Sequence, residues 1–127
     1  MRVLLDTHTF LFAINPTERL SGKAEAILLD PAVERWISTI TIWEIATKIR
    51  IGKLDLPTNP EFYKMHIQAL GARVMPVDIS HSFTMFSLPL HHRDPFDRML
   101  IAQAKTENLT ILTKDSAFAP YQVPILW

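Results

Sequence analysis

Four carboxylates in this chain, Asp6, Glu44, Asp97 and Asp115, are of a type and placement that could do chemistry together. They lie far apart in sequence, yet each falls where an apolar strand ends or a helix begins. In an open α/β fold such ends converge on one crevice. The runs Val3-Leu4-Leu5 and Leu109-Thr110-Ile111-Leu112-Thr113 read as buried parallel strands, with Asp6 and Asp115 at or just past their carboxyl ends. Two carboxylates about 4 Å apart repel by roughly 4 kcal/mol at an effective dielectric of about 20. A cluster of four therefore either holds protons or binds a hard divalent cation. The chemistry this implies is nuclease-like or phosphoryl transfer. Thr7, Thr9 and Thr113 stand beside the acids as candidate hydroxyls for bound water or a metal's outer shell.

Each acid also has a local structural use. Asp6 fits the N-cap of a helix beginning near His8. Thr41-Ile42-Trp43-Glu44 fits a capping box, with Glu44 reaching back to the cap N–H. Asp94-Pro95-Phe96-Asp97 reads as an N-cap, a proline at the first helical position and an acid in the first turn, where the helix dipole favours it. Asp94 is then the cap. Asp115 fits a cap for the segment 116–118. Independent capping does not predict, however, that all four fall at the same end of one sheet. Lys48, Arg50, Lys53, Arg93, Arg98 and Lys114 are candidates for a polynucleotide backbone, although such residues ordinarily form a solvated face. His91 and His92 read as solvated loop residues. Trp36, Trp43, Phe10 and Phe12 read as core.

The elements that must position the acids follow from periodicity and punctuation. A short helix around Phe10–Ile14 should stop at Asn15-Pro16. Ser21 caps a helix with Ala24, Ile27 and Leu28 on one side. Asp30-Pro31 is a turn, Val33–Ile37 a strand, and a helix from about Ile40 to Arg50 carries Ile42, Ile45, Ala46 and Ile49 at core spacing until Gly52 ends it. Asn59-Pro60 starts a helix that runs to Leu70, with Gly71 in the left-handed position. A strand at Arg73–Val77 is kept short by Pro76. A helix at about Ser80–Ser87, a loop 88–93 and a helix from Pro95 to Thr106 with Asn108 as C-cap lead to the strand Leu109–Thr113. Val123–Leu126 offers an edge strand. The alternation predicts an α/β fold, a parallel sheet of four or five strands covered on both faces, with no repeat, low-complexity tract or internal domain boundary across 1–127.

Composition narrows the function classes. Thirteen basic and thirteen acidic residues leave no net charge, so contact with a polynucleotide must come from a local patch. The absence of cysteine excludes thiol catalysis, iron–sulfur clusters and zinc ribbons, and fits a reducing cytoplasm. Asp6 falls too early for a signal peptide, and no apolar run approaches membrane-spanning length, so a soluble cytoplasmic protein without membrane contact is expected. The three glycines, Gly22, Gly52 and Gly71, are too dispersed to build a phosphate-cradling loop.

The segments Leu4-Leu5-Asp6-Thr7, Trp43-Glu44-Ile45, Asp97-Arg98-Met99-Leu100-Ile101-Ala102-Gln103-Ala104 and Leu112-Thr113-Lys114-Asp115, in this order and spacing, resemble a PIN domain of the VapC type, the toxins of bacterial type II toxin–antitoxin pairs. The likeness spans essentially the whole chain. It implies a three-layer sandwich and a metal-dependent endoribonuclease acting on single-stranded RNA. Asp6, Glu44 and Asp97 match the family's three main acids and Asp115 its more variable fourth. His8, Asp115 and Ala117 depart from the residues commoner there. The resemblance further implies Mg²⁺ or Mn²⁺ held by these carboxylates, lowering the pKa of a water and neutralising charge on the phosphodiester. It also implies a homodimer and a cognate antitoxin whose tail crosses a helical groove and offers a basic side chain to the acids. Two other readings compete: a receiver-like phospho-acceptor pocket built on Asp6, Thr113 and Lys114, and a non-enzymatic binding module whose acids are all caps.

Overall fold

The computed structural model describes residues 1–15 and 19–127. Five parallel strands, β1 Arg2–Leu5, β2 Glu34–Ser38, β3 Arg73–Met75, β4 Thr110–Leu112 and β5 Ile125–Leu126, form one sheet in the order β3-β2-β1-β4-β5. β1 is central, with Leu4 opposite Trp36 on one side and Ile111 on the other. The chain leaves β1 towards β2 and later returns beside it as β4. This reversal of direction opens a crevice past the carboxyl end of β1.

Helices cover both faces. Leu4 and Ile111 point into one apolar layer with Leu100, Ile101 and Ala104 of α6 (Pro95–Glu107) and with Phe118 and Tyr121. Val3, Leu5 and Leu112 point the other way, against Phe10 of α1 (Thr7–Ile14), Ala24, Ile27 and Leu28 of α2 (Gly22–Leu29), Ile45 of α3 (Thr39–Arg50) and Tyr63 of α4 (Pro60–Ala69). The two-residue period of β1 thus divides the core into two layers, and its three apolar side chains are fully buried. The expected α/β sandwich is the one observed, with five strands rather than four.

Local signals explain the boundaries. Ser21 accepts a hydrogen bond from the Ala24 N–H at 3.0 Å and Asn59 accepts one from Glu61, with Pro60 next in line. Gly71 takes φ +61° directly against the Arg35 guanidinium, which a Cβ would meet at 3.0 Å. Asn108 takes the left-handed C-cap of α6. β3 ends two residues sooner than expected, since Pro76 has no N–H, and the next donor, Val77, bonds to Thr39 Oγ1 instead. The next helix also shifts: α5 occupies Ile79–Thr84, one residue earlier at its start because Asp78 and His81 form a capping box, and three residues shorter at its end than expected. Pro16 of the expected Asn15-Pro16 stop lies outside the described residues; the Asn15 N–H closes α1 on Leu11 O. No helix among the described residues is long and apolar enough to cross a membrane.

Candidate acidic active site

Asp6 follows β1 directly. Its backbone N–H completes the sheet by bonding to Leu112 O at 3.1 Å. Although it stands at the N-cap position of α1, its side chain makes no capping bond. Instead Thr113 Oγ1 donates to Asp6 Oδ2 at 2.8 Å, and Oδ1 is buried without a partner. The same Thr113 hydroxyl accepts the Asp115 N–H at 3.0 Å, so one side chain aligns the acids that follow β1 and β4. Two further hydroxyls fix the surroundings. Thr9 donates to Leu112 O at 2.6 Å, and Thr7 pairs with Thr41 across the α1–α3 contact at 3.2 Å.

Glu44 is not part of a capping box. Ser38 caps α3 by accepting the Ile40 N–H, which places Thr41 and Glu44 inside the helix rather than at its edge. The Glu44 side chain is buried; Oε2 is bonded by the Lys48 ammonium and Oε1 has no partner. Asp94 is the cap of α6, accepting the N–H groups of Phe96 and Asp97 at 2.9 and 3.1 Å, which leaves the Asp97 carboxyl with no capping duty. Asp115 does serve locally, since its Oδ1 accepts the Ala117 N–H at 2.9 Å and caps the 3-10 turn Ser116–Tyr121.

Electrostatics register these side chains as neighbours. Burial pushes the Asp97 carboxyl up to about 8, and the charges of Asp94, Asp6, Glu44 and Asp115 push the same way. Asp6 is also raised, by burial first and by Glu44, against the opposing Thr113 hydrogen bond and His8. Asp6 and Asp115, with His8, Phe12, Lys114 and Ser116, line a cleft of about 380 Å³.

Donor chemistry favours a hard cation here. Two carboxylate oxygens, Asp6 Oδ1 and Glu44 Oε1, are buried without partners on different elements, and a buried acceptor left unmade costs about 1–3 kcal/mol. The side chains are not, however, drawn into a ready-made cage. Among the described residues no three of His, Cys, Asp or Glu are arranged to hold an ion as they stand, and two of the four acids are engaged with Lys48 and with the Ala117 N–H.

The sequence profile of the PIN domain matches residues 3–123. The chain belongs to the PIN domain family. Comparison with curated protein sequences yields no significant match. Among solved structures, this PIN domain is similar to VapBC2 from Rickettsia felis bound to a DNA fragment from its promoter, at 17% identity and a TM-score of 0.73 over 99% of this chain and 98% of the other. It is also similar to VapBC from Salmonella typhimurium bound to DNA, at 20% and 0.68 over 99% and 97%, and to FitAcB from Neisseria gonorrhoeae, at 20% and 0.67 over 98% and 96%. At such identities the likeness speaks for the fold.

Not every basic candidate of this PIN domain is free to meet a polynucleotide. Arg98 is spent on structure: its guanidinium donates to Pro89 O at 2.7 Å, Tyr121 Oη at 3.1 Å and Leu88 O at 3.3 Å, tethering the loop before α6. His92 is half-buried rather than solvated; its N–H donates to Tyr121 Oη and its Nδ1 accepts the Asp94 N–H. Lys114 lies over the Phe12 ring, 4.7 Å from its centroid, beside the acid cleft. Lys48 is the residue whose importance sequence reasoning underrated. Its spacing of four from Glu44 on one helix face was the available signal.

Proposed function

We propose that this PIN domain is a metal-dependent endoribonuclease that cuts single-stranded regions of RNA and acts as the toxin of a toxin–antitoxin pair. The observation that carries the reading is the pair of unpartnered, buried carboxylate oxygens on Asp6 and Glu44, beside an Asp97 carboxyl whose charge the pocket resists. Asp6, Glu44, Asp97 and Asp115 would hold Mg²⁺ or Mn²⁺. Such an ion supplies Lewis acidity towards the phosphodiester and makes a water acidic near neutral pH. Thr113 holds Asp6 in place, Thr7 ties α1 to α3 through Thr41, and Asp94 fixes the start of α6 so that Asp97 faces the other acids. Lys114 at the mouth of the cleft is placed to meet a phosphate of the strand.

The partner assignment rests on two features. The similar structures from Rickettsia felis and Salmonella typhimurium are VapBC complexes, and a further one from Klebsiella pneumoniae is a toxin-antitoxin complex. This chain carries an apolar groove of about 480 Å³ between α3 and α4, lined by Ile42, Ile45, Ala46, Ile49, Tyr63 and Ile67, suited to the apolar face of an antitoxin segment. Exposed Ile79, Phe83, Phe86 and Leu90, on and after α5, support association into a homodimer. A single unit over 1–127 working in the cytoplasm completes the reading.

Purified protein incubated with fluorescently labelled RNA and DNA oligonucleotides in Mn²⁺, in Mg²⁺ and in EDTA is the test. Cleavage of single-stranded RNA only with metal, abolished in Asp6→Asn, is the expected result. Cleavage that survives EDTA or the substitution refutes the site, and cutting of DNA in preference to RNA refutes the substrate class.

A further inference from the structure

Lys48 sits one helical turn beyond Glu44, and its ammonium is bonded to Glu44 Oε2. The pair differs from an ordinary surface (i, i+4) ion pair because the Glu44 side chain is only 2% exposed. The ammonium also stands within the field of Asp94 and Asp97, on another helix. The ammonium thus stands among carboxylates that otherwise repel one another.

Given the reading of Glu44 as a metal ligand, we propose that Lys48 is the resident counter-ion of the acid pocket and competes with the divalent cation for Glu44. Glu44 then has two alternative partners, the ammonium of its own helix and the ion, and loading requires the Lys48 side chain to leave. Its partial exposure, 29% for the side chain, gives it a path into solvent. Competition makes metal loading weaker than the acid count alone would give, and keeps Glu44 paired while no ion is bound.

The test is isothermal titration of Mn²⁺ into the full chain, comparing wild type, Lys48→Gln and Lys48→Arg. Competition predicts that Lys48→Gln binds about five- to ten-fold more tightly, the scale of losing one partly exposed opposing charge, and that Lys48→Arg binds no more tightly than wild type. Unchanged or weakened binding in Lys48→Gln overturns the proposal, since it shows that ammonium and ion coexist or that Lys48 assists loading. Wild-type protein supplies an independent measure: mass-spectrometric acetylation of Lys48 should speed up on adding Mn²⁺, and a rate that stays constant or falls counts against displacement. If no form binds Mn²⁺, the metal reading itself falls and this inference with it, whereas binding seen only in Lys48→Gln supports both.

Discussion

Asp97→Asn separates a metal-binding carboxyl from a helix-dipole carboxyl by the sign of its effect on stability. Asp97 lies in the first turn of α6, where an acid ordinarily contributes about 0.3–1 kcal/mol through the dipole, so on a purely structural role its neutralisation lowers the melting temperature. The pocket predicts the reverse. Burial and four neighbouring carboxylates lift the group from 3.8 to about 8. At about 1.4 kcal/mol per tenfold this is a penalty of about 6 kcal/mol on the charged form if taken whole, and about 2 kcal/mol after screening by the water that reaches this half-buried side chain. Subtracting the dipole contribution leaves Asp97→Asn more stable by about 1–2 kcal/mol at pH 8 without metal. For a chain of this size that is a rise of about 4–8 °C, measurable by circular dichroism in EDTA. Adding Mn²⁺ should invert the order. At a hundred times its dissociation constant the ion stabilises wild type by about 2.7 kcal/mol, and the variant should gain little. A metal-free variant that melts at or below wild type refutes the reasoning, because Asp97 is then only a helix acid.

The raised Asp97 carboxyl also sets a pH dependence for the metal-free protein. The folded state keeps a proton that the unfolded chain releases between about pH 4 and 8, so this stability is present at the acid end and is lost as pH rises towards 8. Melting curves in EDTA at pH 5.5 and 8 should show the fall, and saturating Mn²⁺ should remove it; a melting temperature that rises with pH contradicts the assignment. Thr113→Val leaves Asp6 Oδ2 and the Asp115 N–H without their shared hydroxyl, so urea unfolding should show a loss of about 2–3 kcal/mol and calorimetry a weaker Mn²⁺ heat. Retention of both would show that Thr113 does not align the acids. Tyr121→Phe removes the acceptor of the His92 N–H and one Arg98 contact, and should cost about 1–2 kcal/mol in the same unfolding assay, with proteolysis of loop 88–93 as the local readout. No change in either measurement would mean that the loop is held elsewhere.

Most of the fold was legible in sequence because the strands are short apolar runs between strong punctuation. Ser21, Asn59 and Gly71 each perform the cap or turn that their residue type suggests. Element ends differed by one to three residues, in two places where a donor was missing or a side chain offered an alternative: Pro76 shortens β3, and the Asp78–His81 capping box moves the start of α5. At the site, local pattern misled in two places, the first being Asp6, which occupies the N-cap position of α1 without capping it. Thr41 to Glu44 has the spacing of a capping box, but Ser38 starts the helix first, so the pattern falls in its interior. The pairing of Glu44 with Lys48 and the tethering roles of Arg98 and His92 depend on which face is buried and on contacts across the chain, which spacing alone does not reveal.

Hydroxyls, more than charges, hold the acid-bearing elements in register, and this has a chemical consequence. Thr9 ties α1 to the end of β4, Thr7 ties it to α3 through Thr41, and Thr113 ties Asp6 to the segment carrying Asp115. Arg or Lys in these positions would align the same elements but would occupy the carboxylate oxygens that a cation needs. A threonine hydroxyl fixes one oxygen of Asp6 and leaves the other open. Repulsion among the acids is then resisted by the sheet beneath, whose central strand buries Val3, Leu4 and Leu5 completely. On the proposed reading, stability of the framework and reactivity of the pocket rest on different residues, and neutralising Asp97 is therefore expected to strengthen the metal-free fold while abolishing its response to metal.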